Sequence, residues 1–129
     1  EPEAVCEGGQ IQLVLRNMLK NGAQAMFEAA SSAGQTGRND RFILRVYRDR
    51  QWVGVEIEDN GPGMSAAVRR RIFEPFFTTK EVGSGTGLGL SVSYFIITQN
   101  HRGSIEVKPV REGGSCFVIH LPIDPPERV

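Results

Sequence analysis

Three groups of residues combine types and spacings that could do chemistry. The first is a pair of amides, Asn17 and Asn21, set in a stretch whose apolar residues recur every three to four positions. On a helix, residues four apart share one side, and Asn21 also falls in register with Val14, Met18 and Ala25 on the apolar stripe. A polar amide there needs a partner, which is either structural or a ligand. As a ligand, the Asn21 carbonyl oxygen suits Mg²⁺, a cation that keeps waters and phosphate oxygens around it and takes few groups from protein. The second group is Asp59-Asn-Gly61-Pro-Gly63 at the end of a strand-like run. By composition it is an ordinary turn. Its position at a strand end, however, places the Asp59 carboxylate at the edge of a pocket. An ionised carboxylate only accepts hydrogen bonds, so it selects the exocyclic amine of adenine over the carbonyl oxygen of guanine. Gly61 and Gly63 let the main chain pass close to such a base. The third group is Gly83-Ser-Gly85-Thr86-Gly87-Leu88-Gly89-Leu90, running into an apolar segment. Bare backbone amides and a helix N-terminus can face a phosphate together there, although the same composition also makes a plain linker. Lys80 is the only Lys or Arg between Arg71 and Arg102. It is either the cation that neutralises that phosphate or a solvated surface lysine.

Two common phosphate-binding signatures are absent. No Gly-x-x-x-x-Gly-Lys-Ser/Thr occurs, and the alternate glycines put Leu88 or Leu90 where Gly-x-Gly-x-x-Gly needs its last glycine.

The elements that must position these residues are legible from periodicity. Gln10 to Ala30 reads as an amphipathic helix, and 31–40, rich in Ser, Gly, Asn and Thr, as a loop. Phe42 to Tyr47 and Trp52 to Glu58 alternate as strands about an Asp49-Arg50 turn and should pair as an antiparallel hairpin. Ser65 is a candidate N-cap for a short helix from Ala66 to Ile72. From Phe73 to Gly89 no period holds, which predicts a mobile loop. Leu88 to Gln99 mixes strand propensity with the length and all-round apolar character of a buried helix, and helix is the assignment made here. Ile105 and Val107, a Gly113-Gly114 turn, and Phe117, Ile119 and Leu121 repeat the hairpin pattern, and 122–129 forms a Pro-rich tail. Antiparallel strands separated by helices suit a two-layer α/β sandwich, a mixed and mostly antiparallel sheet with helices on one face.

Composition excludes several classes. With 129 residues the chain reads as a single domain over 1–129. Fifteen basic against fifteen acidic residues leave no overall field for nucleic acid or anionic lipid, so neither is an expected partner. No apolar run reaches the roughly 18 residues of a membrane span, and the first residues lack a signal peptide's basic and apolar regions, so a cytoplasmic domain is expected. Cys6 and Cys116 show no metal or redox spacing and read as two buried thiols.

In this order the blocks resemble the catalytic ATP-binding domain of sensor histidine kinases, within the gyrase, Hsp90, histidine kinase and MutL superfamily. Asn17-Met-Leu-Lys-Asn21-Gly-Ala is similar to the N box, Asp59-Asn-Gly-Pro-Gly63-Met to the G1 box, Phe73-Glu-Pro-Phe-Phe-Thr-Thr-Lys80 to the F box and Gly83 to Leu90 to the G2 box. The resemblance covers about Gln10 to Pro122 and implies a Bergerat-type fold. It implies ATP and Mg²⁺ as ligands, with Asp59 on the adenine amine, Asn21 on Mg²⁺, and Gly85, Gly87, Leu88 and Gly89 giving amides to phosphate. Asn17, Gly61, Gly63, Phe77, Lys80 and Thr86 complete the expected nucleotide contacts. Asn21 and Lys80 are the expected catalytic groups, and Phe76 and Phe77 would anchor a lid or simply pack. Phe-Phe-Thr-Thr-Lys close before the glycines resembles a nitrogen-regulation-type subgroup. Departures are Gln24, where relatives carry Lys or Arg, and a preceding strand reduced at most to 4–7.

The implied function is transfer of the ATP γ-phosphate to a histidine on a separate dimerisation domain of the parent chain, with a response regulator downstream. Neither His101 nor His120 has the setting of that acceptor. Hydrolysing relatives carry a glutamate one turn before the metal-binding asparagine to activate water. Asn17 stands there, and a neutral amide accepts no proton at neutral pH. A hydrolytic switch is therefore the weaker alternative, and a nucleotide-binding module without kinase activity is the third.

Overall fold

The computed structural model describes residues 6–33, 40–77 and 89–123, with side chains of the first stretch as far as Glu28. Eight elements follow in order: α1 (Gly8–Ala33), β1 (Phe42–Arg48), β2 (Trp52–Asp59), α2 (Ala66–Arg71), α3 (Gly89–Phe95), a π-helical turn (Ile96–Asn100), β3 (Ser104–Pro109) and β4 (Ser115–Pro122).

The strands form one sheet in the order β1-β2-β4-β3, and every pairing among the described residues is antiparallel. Register places Leu44, Ile57, Phe117 and Val107 in one lateral row and Arg45, Glu56, Val118 and Glu106 in the next. Because strand side chains alternate, the first row belongs to one face and the second to the other. The first face is covered. Ile57, Ile105, Phe117, Ile119 and Leu121 pack there against Val14 and Met18 of α1 and Leu90, Ile96 and Ile97 of α3 and its π turn. Among the described residues helices therefore lie on one side only, the two-layer arrangement expected from the order of elements.

Cover thins toward the β1 edge, where Leu44 and Val46 are 53% and 56% exposed although they point to the helical side. The opposite face carries charge, with Arg45 bonded to Glu56 and Glu58. Tyr47 lies over Gly54 there, its hydroxyl 3.1 Å from His120 Nε2.

Local structure departs from expectation at a few points. The helix expected over 88–99 exists, but its second half widens into the π turn, whose end is tied down by His101: Nδ1 donates to the Ile96 carbonyl at 2.9 Å. Ser65 caps α2 as expected, accepting from Val68 N at 3.2 Å, and that helix ends at Arg71 with Ile72 as its C-cap. Of the two cysteines read as buried, only Cys116 is; Cys6 lies exposed ahead of α1, outside any layer that could cover it. Residues 6 and 7 form no strand. The tail beyond Ile123 and most of the expected loop lie outside the described residues. Among the described residues no helix is long and apolar enough to cross a membrane.

Candidate functional site

A cleft of about 400 Å³ opens between the middle of α1, the end of β2 and α2. Asn21, Ala25 and Glu28 line it from α1, Met64, Val68 and Ile72 from the α2 side, and Asp59, Ser115 and Phe117 from the sheet. A mostly apolar wall with a few convergent polar groups is the usual character of a small-molecule site.

Asp59 forms the polar floor. It is the last residue of β2 and points to the helical face, so only 8% of it is exposed. Its Oδ1 accepts from Gly61 N at 2.9 Å and Ser115 N at 3.3 Å. Among the described residues nothing bonds Oδ2, which remains available to a ligand. Burial pushes the carboxyl above the ordinary aspartate value; the amides of Gly61 and Ser115 pull it back, and the neighbouring Glu58 charge adds to the rise.

Two glycines are dictated by this floor. A Cβ on Gly61 would stand 2.9 Å from Met26 Cγ and 3.0 Å from Asp59 Oδ1, inside the turn that holds the carboxylate. Gly114 has φ +104° and so close an approach that an added Cβ would lie 2.0 Å from the Asp59 carbonyl oxygen. The β3–β4 turn is thereby seated on the end of β2, which delivers Ser115 N to Asp59. Gly114 and Ser115 were missed as site residues by sequence reasoning, which took Gly113-Gly114 for a hairpin turn and nothing more. Their contact with Asp59 spans 56 positions, and no local pattern encodes it.

Asn21 and Asp59 are thus brought to one cleft, with Gly63 in its lining. Among the described residues no hydrogen bond engages the Asn21 side chain, and the amide is half-buried at the cleft wall. Asn17 sits outside that lining, one turn along α1, and donates through Nδ2 to the Gly89 carbonyl at 3.0 Å and to Ser93 Oγ at 3.2 Å. Gly89 opens α3, so this contact joins the two helices where the Gly-rich segment ends. Phe77 also stands apart from the cleft lining, under the Arg71 guanidinium at 4.6 Å, while Phe76 is exposed with φ 65°. Lys80, Gly85, Thr86, Gly87 and Leu88 lie outside the described residues. No cluster of His, Cys, Asp and Glu fit to hold a metal occurs among the described residues, so a cation here would depend on amide oxygens and on its ligand's own phosphates.

Comparison with known proteins agrees with this fold. The curated relatives include the two-component sensor PprA of Pseudomonas aeruginosa, 38% identical over 93% of this chain and 12% of that protein. Another is the signal transduction histidine-protein kinase AtoS of Escherichia coli, 41% identical over 89% of this chain and 17% of that protein. The chain thus spans well under a quarter of the length of these relatives. Among solved structures, the nucleotide-free catalytic domain of histidine kinase ThkA superposes with a TM-score of 0.78 at 30% identity, covering 95% of this chain and 73% of that one. The family described as histidine kinase-, DNA gyrase B- and HSP90-like ATPases matches residues 7–125, nearly the whole chain, and the protein belongs to it.

Proposed function

We propose that this domain holds Mg-ATP in the cleft and presents its γ-phosphate to a histidine on a dimerisation domain of the same parent protein. The observation that carries the reading is Asp59, whose Oδ2 is left unbonded by the described residues at the floor of an apolar cleft. An ionised acceptor in that place takes the adenine amine, while Met64, Val68 and Ile72 cover the flat faces of the ring. Asn21 lines the same cleft from α1, and its carbonyl oxygen is the group assigned to the cation. A bound Mg²⁺ there would supply neutralisation of phosphate charge, and the chain's part is to position the nucleotide. On the resemblance alone, Lys80 and the amides of Gly85, Gly87 and Leu88 are assigned to the phosphates, with Phe77 and Thr86 beside them.

In the transfer, the acceptor imidazole nitrogen forms the bond to the γ-phosphorus as the bond to the β,γ-bridging oxygen breaks, and ADP leaves with that oxygen. The nucleophile comes from outside, so no general base is needed within the domain. Asn17 favours this reading over hydrolysis, since its amide has no proton-accepting group to activate water. A response regulator as the next phosphate acceptor, and a cytoplasmic setting under a parent that is itself anchored or free, follow from the same reading.

The test mixes the domain with Mg-ATP labelled at the γ-position and the parent's dimerisation domain. Label on a histidine of that domain is expected, with negligible release of free phosphate by the domain alone. Tight ATP binding without transfer would leave a nucleotide-binding module, and several turnovers of hydrolysis per second would favour the switch.

A further inference from the structure

Ser93 is fully buried, with 0% exposure, on a helix that buries only Leu90 besides it and leaves Val92, Tyr94 and Phe95 exposed, so α3 is not the all-round buried helix expected from its composition. Its Oγ donates to the Gly89 carbonyl at 2.9 Å, the usual back-bond of a helical serine, and also accepts from Asn17 Nδ2 at 3.2 Å. The second contact is the informative one. Gly89 O is obligately an acceptor, so the Asn17 atom 3.0 Å from it must be the amide nitrogen. That nitrogen faces two acceptors that are themselves bonded to each other, Gly89 O and Ser93 Oγ, and both hold it against α3. Its Oδ1 has no bonded partner among the described residues, and Asn17 lies one turn from Asn21 on the same side of α1.

We propose that Ser93 is a positioning residue for the nucleotide's metal ion, holding the Asn17 amide so that its carbonyl oxygen, not its nitrogen, is offered beside Asn21 to the cation or its waters. This rests on the Mg-ATP reading. Outer-shell hydrogen bonds act on metal sites in this way, fixing the orientation of an oxygen or nitrogen that would otherwise rotate. Without the hydroxyl, Asn17 Nδ2 keeps only the Gly89 carbonyl, so the amide is held by one contact instead of two and its carbonyl oxygen is less firmly placed. The arrangement also explains why a glutamate would be out of place here, since its carboxylate would face the Gly89 carbonyl with only one hydroxyl to receive it.

The test is a cycle of Ser93→Ala, Asn17→Ala and the double variant, with ATP affinity measured by calorimetry in Mg²⁺ and in EDTA. The magnesium-dependent gain in affinity is the quantity compared, and the affinity in EDTA reports the fold and the base pocket. Ser93→Ala is expected to cut the gain by about tenfold, the low end for loss of an outer-shell partner, with the EDTA affinity unchanged. It should have no further effect once Asn17 is Ala. Ser93→Cys, which fills the same space with a poor acceptor, should behave like Ala, and Ser93→Thr, which keeps the hydroxyl, should retain the gain. Equal losses in Mg²⁺ and EDTA, or a full effect of Ser93→Ala in the Asn17→Ala background, would overturn the positioning role. A wild-type protein that binds ATP equally with and without Mg²⁺ would instead sink the magnesium reading, and this proposal with it.

Discussion

The two ends of the cleft are built from different materials. At the end proposed for the base a single carboxylate, Asp59, is gripped by the backbone amides of Gly61 and Ser115, both fixed by strands and turns of the sheet layer. At the end proposed for the metal, Asn21 lines the cleft from α1, while Asn17, one turn along and outside the lining, is oriented by a carbonyl and a hydroxyl of α3. Backbone donors cannot rotate away from their acceptor, whereas a side-chain amide is only as fixed as its partners. The base end should therefore recognise its ligand with little rearrangement, and the other end should depend on how α1 and α3 sit together.

The most severe way to break the comparison is Gly114→Ala. The new Cβ would meet the Asp59 carbonyl oxygen at 2.0 Å, and φ +104° is itself unfavourable for any side chain. Neither atom is the end of a flexible side chain, so strain and overpacking add to on the order of 3 kcal/mol or more. Chemical denaturation should show that loss, and nucleotide affinity should fall with it because Ser115 N moves with the turn.

Asp59→Asn separates function from stability at the same end. Burial raises the carboxyl's pKa in the folded state, with the Gly61 and Ser115 amides opposing. A group with a raised folded-state pKa contributes stability below its unfolded pKa and loses that contribution as pH rises through the folded value. At neutral pH the ionised Asp59 is thus a cost to folding. Asparagine keeps Oδ1 for the two amides and turns a donor toward the ligand amine. Thermal melting should show an unchanged or higher Tm at pH 7, while ATP binding weakens by about 10- to 100-fold, the loss of one hydrogen bond to a charged group. For the wild type, affinity should decline as pH falls through the raised Asp59 pKa, starting above the range of an exposed aspartate. That decline should be missing in Asp59→Asn.

The comparison also explains what was legible in the sequence. Elements with a sustained period, α1, the two hairpins and the Ser65 cap, were readable because each is decided by neighbours a few positions away. Asn21 stood out because a polar residue on an apolar stripe needs a partner, whereas Asp59, by composition an ordinary turn residue, was singled out by its place at the end of a core-building strand. The support under Asp59 was not readable, since Ser115 reaches it through the β2–β4 pairing. Nor was the role of Ser93, which in sequence is one small residue within an apolar helix. The π turn was hidden as well, because its widening is tied down by the His101 ring against the Ile96 carbonyl, outside the helical pattern itself.

His101 tests the metal end from its far side. It is 5% exposed, with Nδ1 given to Ile96 O and Nε2 accepting from Glu7 N at 2.9 Å, while Asn100 donates to Gln10 at 3.1 Å. These bonds pin the start of α1 to the end of the helix whose beginning is held by Asn17. Replacing the ring with one that has no nitrogens, His101→Phe, leaves a backbone donor and acceptor unmatched, at a cost of about 1–3 kcal/mol in unfolding experiments. If the ends of the cleft are as separate as their construction implies, hydrogen exchange should quicken in the first turns of α1 and leave Gly61 and Ser115 protected.

The smallest expected effect crosses the sheet. Glu58 precedes Asp59 and points to the opposite face, where Arg45 binds it at 3.0 Å. The Glu58 charge adds to the rise in the Asp59 pKa, after burial and against the two amides. Arg45→Ala would leave that charge uncompensated and raise the Asp59 pKa further. Loss of nucleotide affinity on acidification should then begin at a slightly higher pH than in the wild type. Because Arg45 is exposed and its partners are only half-buried, the shift should be visible at low ionic strength and vanish near 1 M salt, where screening acts over about 3 Å. A shift that survives high salt would mean that Arg45 acts on Asp59 through the strand's geometry, and the base end would then be less rigid than its backbone clamps suggest.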